Sequence, residues 1–290
     1  MQLNLLTHKI YINYYFIEKQ GKKLMETKTF ENIEYQIIGN GMPIIFLHGL
    51  FLDKHSNKNF FEKNTNLAKF QRIYLDIPGM GNSLSLSEVT TDAIFKKLLD
   101  FIDYAVEGHK FAIYGHSYGG YLAQAIAYHY QNQVSGLFLT CPVCIANKEL
   151  RSVEKHQNEY IGRVYLSENK EFYADFKSMN VLISQSRWSA YQDLILPGLN
   201  KANTNFLKCL QENSYSISFE EKLQNLGQNT KIQLVLGRHD HVVGYKQQLN
   251  KFINNEKSNV TLLASAGHNI MIDQPRYVYS LFDIFLNTLQ

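Results

Sequence analysis

Apolar residues along this chain fall into two patterns. The first is the unbroken run, seen at Pro43–Leu47, Ile73–Leu75, Phe111–Tyr114, Val134–Thr140 and Ile232–Leu236. Runs of this length without alternation fit parallel strands buried on both faces. Shorter strands are expected over Glu34–Ile38, before the turn Gly39-Asn40-Gly41, and over Val260–Leu263. The second pattern is helical. Ile94, Leu98, Leu99, Ile102 and Ala105 share one face between Glu88 and Val106, with Thr90 or Thr91 as the candidate cap. Further helices are expected within 57–69, after Leu122, after Val243 through Phe252, and from Asp273 onward with Pro275 in the first turn. Strands and helices therefore alternate. That argues for an α/β chain, with a mostly parallel sheet covered by helices on both faces. In such sheets ligands bind outside the carboxyl ends of the strands.

The alternation stops after Cys144. From about Ala146 to Ser214 the chain reads as helical, polar and aromatic, with a break at Pro197-Gly198. The expected organisation is a core of residues 25–145 and 215–290, interrupted by a helical segment at 146–214. Residues 1–24 differ from the rest. Ile10–Ile17 is apolar but interrupted by Asn13, too short to span a membrane, and no small-residue cleavage site follows it. One reading takes Met25 as the natural start, because Gln20-Gly21-Lys22-Lys23 is compatible with a purine-rich stretch like a ribosome-binding site. The other takes 1–24 as an arm packed on the domain.

The bulk properties narrow the class. A chain of 290 residues with 45% hydrophobic and 19% charged residues is an ordinary globular protein, of a length that suits one large domain or one with an insertion and also allows two. A net charge of +3 without a dense basic cluster gives no nucleic-acid face. Cys141-Pro142-Val143-Cys144 is a C-x-x-C, but no second pair at zinc spacing follows it. Three cysteines, read as free thiols, fit a reducing cytoplasm. Oligomeric state leaves no mark on the sequence.

Chemistry concentrates at Tyr114-Gly115-His116-Ser117-Tyr118-Gly119-Gly120. This is a G-x-S-x-G pattern between a buried strand and a helix. Glycines on either side let the backbones approach, so that Ser117 is held out at the strand end, near the helix N-terminus. Ser117 is the candidate nucleophile. His48-Gly49 and Asp76 also stand at strand ends.

Taken together, these residues resemble the α/β-hydrolase superfamily. The matching features are His48-Gly49, Asp76-x-Pro78-Gly79-x-Gly81-x-Ser83, Gly115-His116-Ser117-Tyr118-Gly119, Gly237-Arg238-His239-Asp240 and Ala266-Gly267-His268. The resemblance spans roughly residues 30–290 and implies a helical cap at 146–214, inserted after the sixth strand. It also implies the chain order Ser, Asp, His, met here by Ser117, Asp240 and His268. His268 would take the Ser117 proton, and Asp240 would orient the imidazole. The oxyanion donors would be the backbone N–H groups of Tyr118 and Leu50. Weaker candidates for acid or base are His116, His239, His241, Asp76 and Asp273. Trp188 is the first candidate for a pocket wall, with Phe51 and Val242 beside it.

The expected activity is that of a serine hydrolase on a small, fairly apolar ester, thioester or amide, through an acyl-enzyme and without metal or organic cofactor. Acyl transfer to another acceptor and C–C bond hydrolysis use the same site and stay open. So does a ligand sensor or regulatory partner of the same fold.

Overall fold

Eight strands form one sheet in the computed structural model, which describes residues 26–226 and 230–289. The question of residues 1–24 and of Met25 as a start lies outside the described residues. In chain order the strands are β1 (Thr27–Phe30), β2 (Ile33–Ile38), β3 (Pro43–Leu47), β4 (Gln71–Leu75), β5 (Phe111–His116) and β6 (Val134–Thr140). Two short strands follow, β7 (Glu159–Tyr160) and β8 (Leu182–Ile183), and then β9 (Lys231–Gly237) and β10 (Ser258–Leu263). The spatial order of the large sheet is β1-β2-β4-β3-β5-β6-β9-β10. β2 pairs antiparallel with both β1 and β4, and all other neighbours are parallel. β7 and β8 pair only with each other.

The unbroken apolar runs became the central strands. Every residue of β3 and of β5 is buried, as helices on both faces require. Sequence pattern missed β1, as it missed the two-residue strands β7 and β8 in a segment that reads as helical. The Thr-Lys-Thr-Phe of β1 is polar and mostly exposed, because an edge strand needs only backbone pairing on one side.

Helices α1 (Lys54–Phe61), α2 (Thr91–Val106) and α3 (Tyr118–Tyr130) belong to the core. Thr90 caps α2, its hydroxyl accepting the Ala93 N–H at 3.0 Å. The insertion carries α4 (Tyr173–Met179), α5 (Gln185–Leu194), α6 (Leu196–Leu199) and α7 (Thr204–Asn213). The core resumes with α8 (Lys246–Phe252), the single turn α9 (Ile270–Asp273) and α10 (Pro275–Thr288). α1 meets α10 through the stacked rings of Phe60 and Tyr279, 4.3 Å apart. Phe61 and Phe138 both pack on Phe282, at 4.5 and 4.9 Å. These aromatic contacts fix α1 and α10 against the sheet.

The parallel strands all present their carboxyl ends at one edge. His48, Asp76, Ser117, Asp240 and His268 follow β3, β4, β5, β9 and β10 respectively. Residues far apart in the chain are thus delivered to one place by the topology alone.

Candidate active site

β5 runs into α3 with no intervening loop. Ser117 makes the corner, with φ of 53° and ψ of −117°. A left-handed φ at a residue with a side chain costs roughly 1–3 kcal/mol and persists only where the surroundings enforce it. The surroundings here are crowded. A Cβ on Gly119 would lie 2.4 Å from the carbonyl oxygens of both Leu47 and His48. A Cβ on Gly115 would lie 2.7 Å from the Gly119 carbonyl oxygen. Three backbone bonds pin Ser117 itself. Its N–H donates to the Thr140 carbonyl at 3.1 Å, and its carbonyl accepts from Tyr121 at 3.1 Å and Val143 at 3.0 Å.

His268 Nε2 lies 2.9 Å from Ser117 Oγ, and His268 Nδ1 lies 2.9 Å from Asp240 Oδ2. Asp240 is wholly buried. Burial alone would push its carboxyl up, but the His268 ring and the Val243 and Val242 N–H groups outweigh that and hold it below the usual carboxylate range. An ionised carboxylate only accepts, so Nδ1 carries the imidazole proton. Nε2 is left to accept from the Ser117 hydroxyl. The other carboxylate oxygen, Oδ1, accepts from Val242 at 2.9 Å and Val243 at 3.0 Å, which fixes its orientation. Such a run can pass a proton from a hydroxyl to an imidazole and stabilise the cation formed.

The loop after β3 is held by His48. Its Nε2 accepts the Ile77 N–H at 3.1 Å, so Nδ1 is the protonated nitrogen and donates to the Gly49 carbonyl at 2.8 Å. Burial lowers the His48 pKa and keeps the ring neutral, as both bonds require. Among the described residues, neither the Leu50 N–H nor the Tyr118 N–H has a hydrogen-bond partner. Phe51, next in this loop, has a φ of 64°.

A cavity of about 860 Å³ opens above Ser117 and His268. Leu50, Phe51, Val143, Ile195, Leu199 and Val242 supply apolar wall. Lys148 and Glu149, with Lys208 and Glu212 of α7, are charged residues that also line it. Phe51 and Val242 are thus lining residues. Trp188 is not. It is 1% exposed and sits between Tyr191, stacked at 5.6 Å, and the edges of Tyr173 and Phe176. A large ring among three others forms the insertion's own small core. The Tyr118 side chain also stays out of the cavity, its hydroxyl 3.0 Å from that of Thr91 and its ring 5.0 Å from that of Tyr215, which does line it.

The remaining candidates separate by their partners. Asp76 accepts the Lys54 N–H at 2.6 Å, the Lys54 ammonium at 2.8 Å and the Asn82 N–H at 2.9 Å, so it braces the turn after β4. The Ser83 hydroxyl donates to the Asp76 carbonyl at 2.6 Å and belongs to the same turn. Asp273 accepts N–H groups from Gly267, Val181 and Leu182. His239 bonds to Gln157, and the His241 ring lies 4.8 Å from that of His156. Neither lines the cavity. His116 stands beside Ser117. It lines the cavity, with its Nδ1 held by Thr140 and its ring 5.0 Å from that of His268. Burial first, and then the His268 ring, lower its pKa to about 3.

Cys141, Cys144 and Cys209 are free, the first two buried. Among the described residues one set of metal-type donors gathers within 4.8 Å, namely Cys141, Asp240 and His268. The carboxylate and imidazole are turned toward each other across a hydrogen bond. Burial pushes the Cys141 thiol up, away from the thiolate that a metal requires. These donors do not fit a metal ion. Among the described residues, no helix is long and apolar enough to cross a membrane.

Comparison with known proteins shows the family. The family described as the alpha/beta hydrolase fold matches residues 42–180. A crystal structure of an alpha/beta superfamily hydrolase from Oenococcus oeni PSU-1 is 48% identical, with a TM-score of 0.90. That match covers 91% of this chain and 99% of that one. The monoacylglycerol lipase ABHD6 of Bos taurus is 28% identical over 270 residues, covering 86% of this chain and 76% of its own length. A thermophilic esterase from Thermogutta terrifontis shares the fold at 20% identity and a TM-score of 0.61, with 91% of this chain and 97% of that one covered. With a match at 48% identity over nearly the whole described chain, the protein belongs to the α/β-hydrolase superfamily.

Proposed function

We propose that the chain is a serine hydrolase that cleaves a small, fairly apolar ester, thioester or amide through an acyl-enzyme on Ser117. The observation that carries this reading is the continuous hydrogen-bonded run Asp240–His268–Ser117 at the cavity, with Ser117 held at a strained corner. His268 acts as general base toward Ser117 and then as general acid toward the leaving group. Asp240 holds the ring and stabilises the imidazolium. The Leu50 and Tyr118 N–H groups receive the oxyanion. Their lack of other partners supports the assignment, and each such donor is worth about 3 kcal/mol at the transition state.

Residues 146–214 act as a cap over this site. They contribute both apolar wall, as at Ile195 and Leu199, and charged residues, as at Lys208 and Glu212. Phe51 and Val242 contact the acyl portion. A lining of this mixed character suits an acyl chain joined to a polar alcohol. The relatives named monoacylglycerol lipases favour that class. Three free cysteines support a reducing, cytoplasmic setting.

The test is turnover of a panel of p-nitrophenyl esters and monoacylglycerols of increasing chain length, with Ser117→Ala beside the wild type. Hydrolysis that disappears in Ser117→Ala supports the reading. Absence of turnover, or turnover that survives the substitution, rejects it.

A further inference from the structure

Arg151 lines the cavity without a carboxylate to neutralise it. Its guanidinium is fixed by neutral groups alone. Nε donates to the Ile145 carbonyl at 2.8 Å, Nη2 to the Ala146 carbonyl at 2.9 Å and Nη1 to the Val242 carbonyl at 3.3 Å. The Tyr215 ring lies 5.7 Å beneath it. A guanidinium has five N–H donors; the three carbonyls and the Tyr215 hydroxyl, a further neutral neighbour, do not use all of them.

Of the carboxylates that line the cavity, Glu149, Asp175 and Glu212, none pairs with it. Among the described residues no ion pair includes Arg151. Glu220 accepts the Ala146 N–H, the Ser216 hydroxyl and the Tyr121 hydroxyl. Glu154 pairs with Lys246 at 2.7 Å. Asp175 accepts the Tyr191 hydroxyl. Glu149 stands exposed beside Lys148. Carbonyl dipoles and a ring face solvate the Arg151 charge but leave it in place, beside apolar wall where an opposite charge interacts strongly.

We infer that Arg151 is a specificity-determining residue that recognises an anionic oxygen group, carboxylate or phosphate, on the substrate. This rests on the hydrolase reading above. Arg151 does not touch the reacting atoms. A guanidinium held from three sides meets such a group at little further ordering cost, since its planar fork matches paired oxygens of a carboxylate or phosphate.

The experiment compares esters of one acyl chain whose alcohol is neutral, carboxylated or phosphorylated. Purified full-length wild type, Arg151→Gln and Arg151→Lys are assayed at low and high salt. In the wild type, kcat/KM for at least one anionic ester should exceed that for the neutral one by about tenfold, as one charge-assisted hydrogen bond implies. The carboxylate and phosphate arms show which oxyanion is preferred. The preference should shrink with salt and collapse in Arg151→Gln. Arg151→Lys should keep part of it. No anionic preference in the wild type overturns the inference, even if Arg151→Gln fails to fold. So does an equal loss on all three esters in Arg151→Gln, which would mark a purely structural role through Val242 and Tyr215. Turnover of the neutral ester tests the hydrolase reading separately. If no ester is hydrolysed, equilibrium binding of the carboxylated and phosphorylated alcohols to the wild type and Arg151→Gln reads the inference alone, and binding unaffected by the substitution contradicts it.

Discussion

Asp273 accepts the N–H of Gly267 at 2.8 Å, one residue before His268. The same carboxylate accepts the N–H groups of Val181 and Leu182 from the insertion. A single buried side chain therefore ties the histidine loop to the segment above it. Asp273→Asn places an amide donor among backbone donors and leaves some unpaired. The expected result is a lower melting temperature and a kcat reduced about tenfold, with KM changed less, because His268 loses its fixed position. A variant with wild-type kcat and stability would remove Asp273 from this role.

Trp188 tests where the insertion's core ends and the cavity begins. Its ring is enclosed by Tyr173, Phe176 and Tyr191. Trp188→Ala is expected to destabilise the protein by about 3–5 kcal/mol through the cavity it leaves. Acyl-chain selectivity should change little at a temperature where the variant is folded. Phe51→Ala should do the reverse, shifting selectivity toward other chain lengths, since Phe51 lines the cavity. Denaturant titration and a chain-length panel check both.

Acid sensitivity follows from the buried histidines. His116 is held to about 3, and burial lowers His48 in the same direction. Above the ordinary histidine range both folded and unfolded chains keep the rings neutral. Below it the unfolded chain binds protons that the folded chain refuses, so stability falls as pH falls, down to about 3 for His116. Asp240 acts at lower pH. Its lowered carboxyl contributes stability above the ordinary carboxylate range, lost as pH drops through its folded value. Urea midpoints should therefore decline from pH 7.5 to 5, and His116→Gln should flatten the decline. An unchanged slope in that variant would contradict the assignment.

The parts of this molecule that sequence made legible share a physical cause. Doubly buried strands such as Pro43–Leu47 must be apolar throughout, so their pattern is visible without tertiary information. Ser117, Asp240 and His268 stand at strand ends in loops whose glycines answer backbone crowding, as at Gly115 and Gly119. The polar edge strand β1 gives no such signal, because only its backbone is paired. Lys54 was invisible for a related reason. A lysine reads as surface, yet this one is buried against Asp76 and Glu34 by an ion pair that only the fold assembles. Trp188 of the insertion and Phe51 of the loop after β3 are equally aromatic in sequence. Trp188 is enclosed where α4 meets α5, whereas Phe51 lines the cavity, and no local pattern records that difference.

The central claim is that His268 activates Ser117. The most direct measurement is the rate at which a fluorophosphonate probe labels the intact protein, with the adduct mapped by peptide mass and His268→Ala run in parallel. The account predicts one adduct, on Ser117, formed by the wild type. Labelling should be slower by several orders of magnitude in a folded His268→Ala protein, in line with the loss of a triad base. An adduct elsewhere, no adduct at all, or equal labelling rates in the two proteins would contradict it.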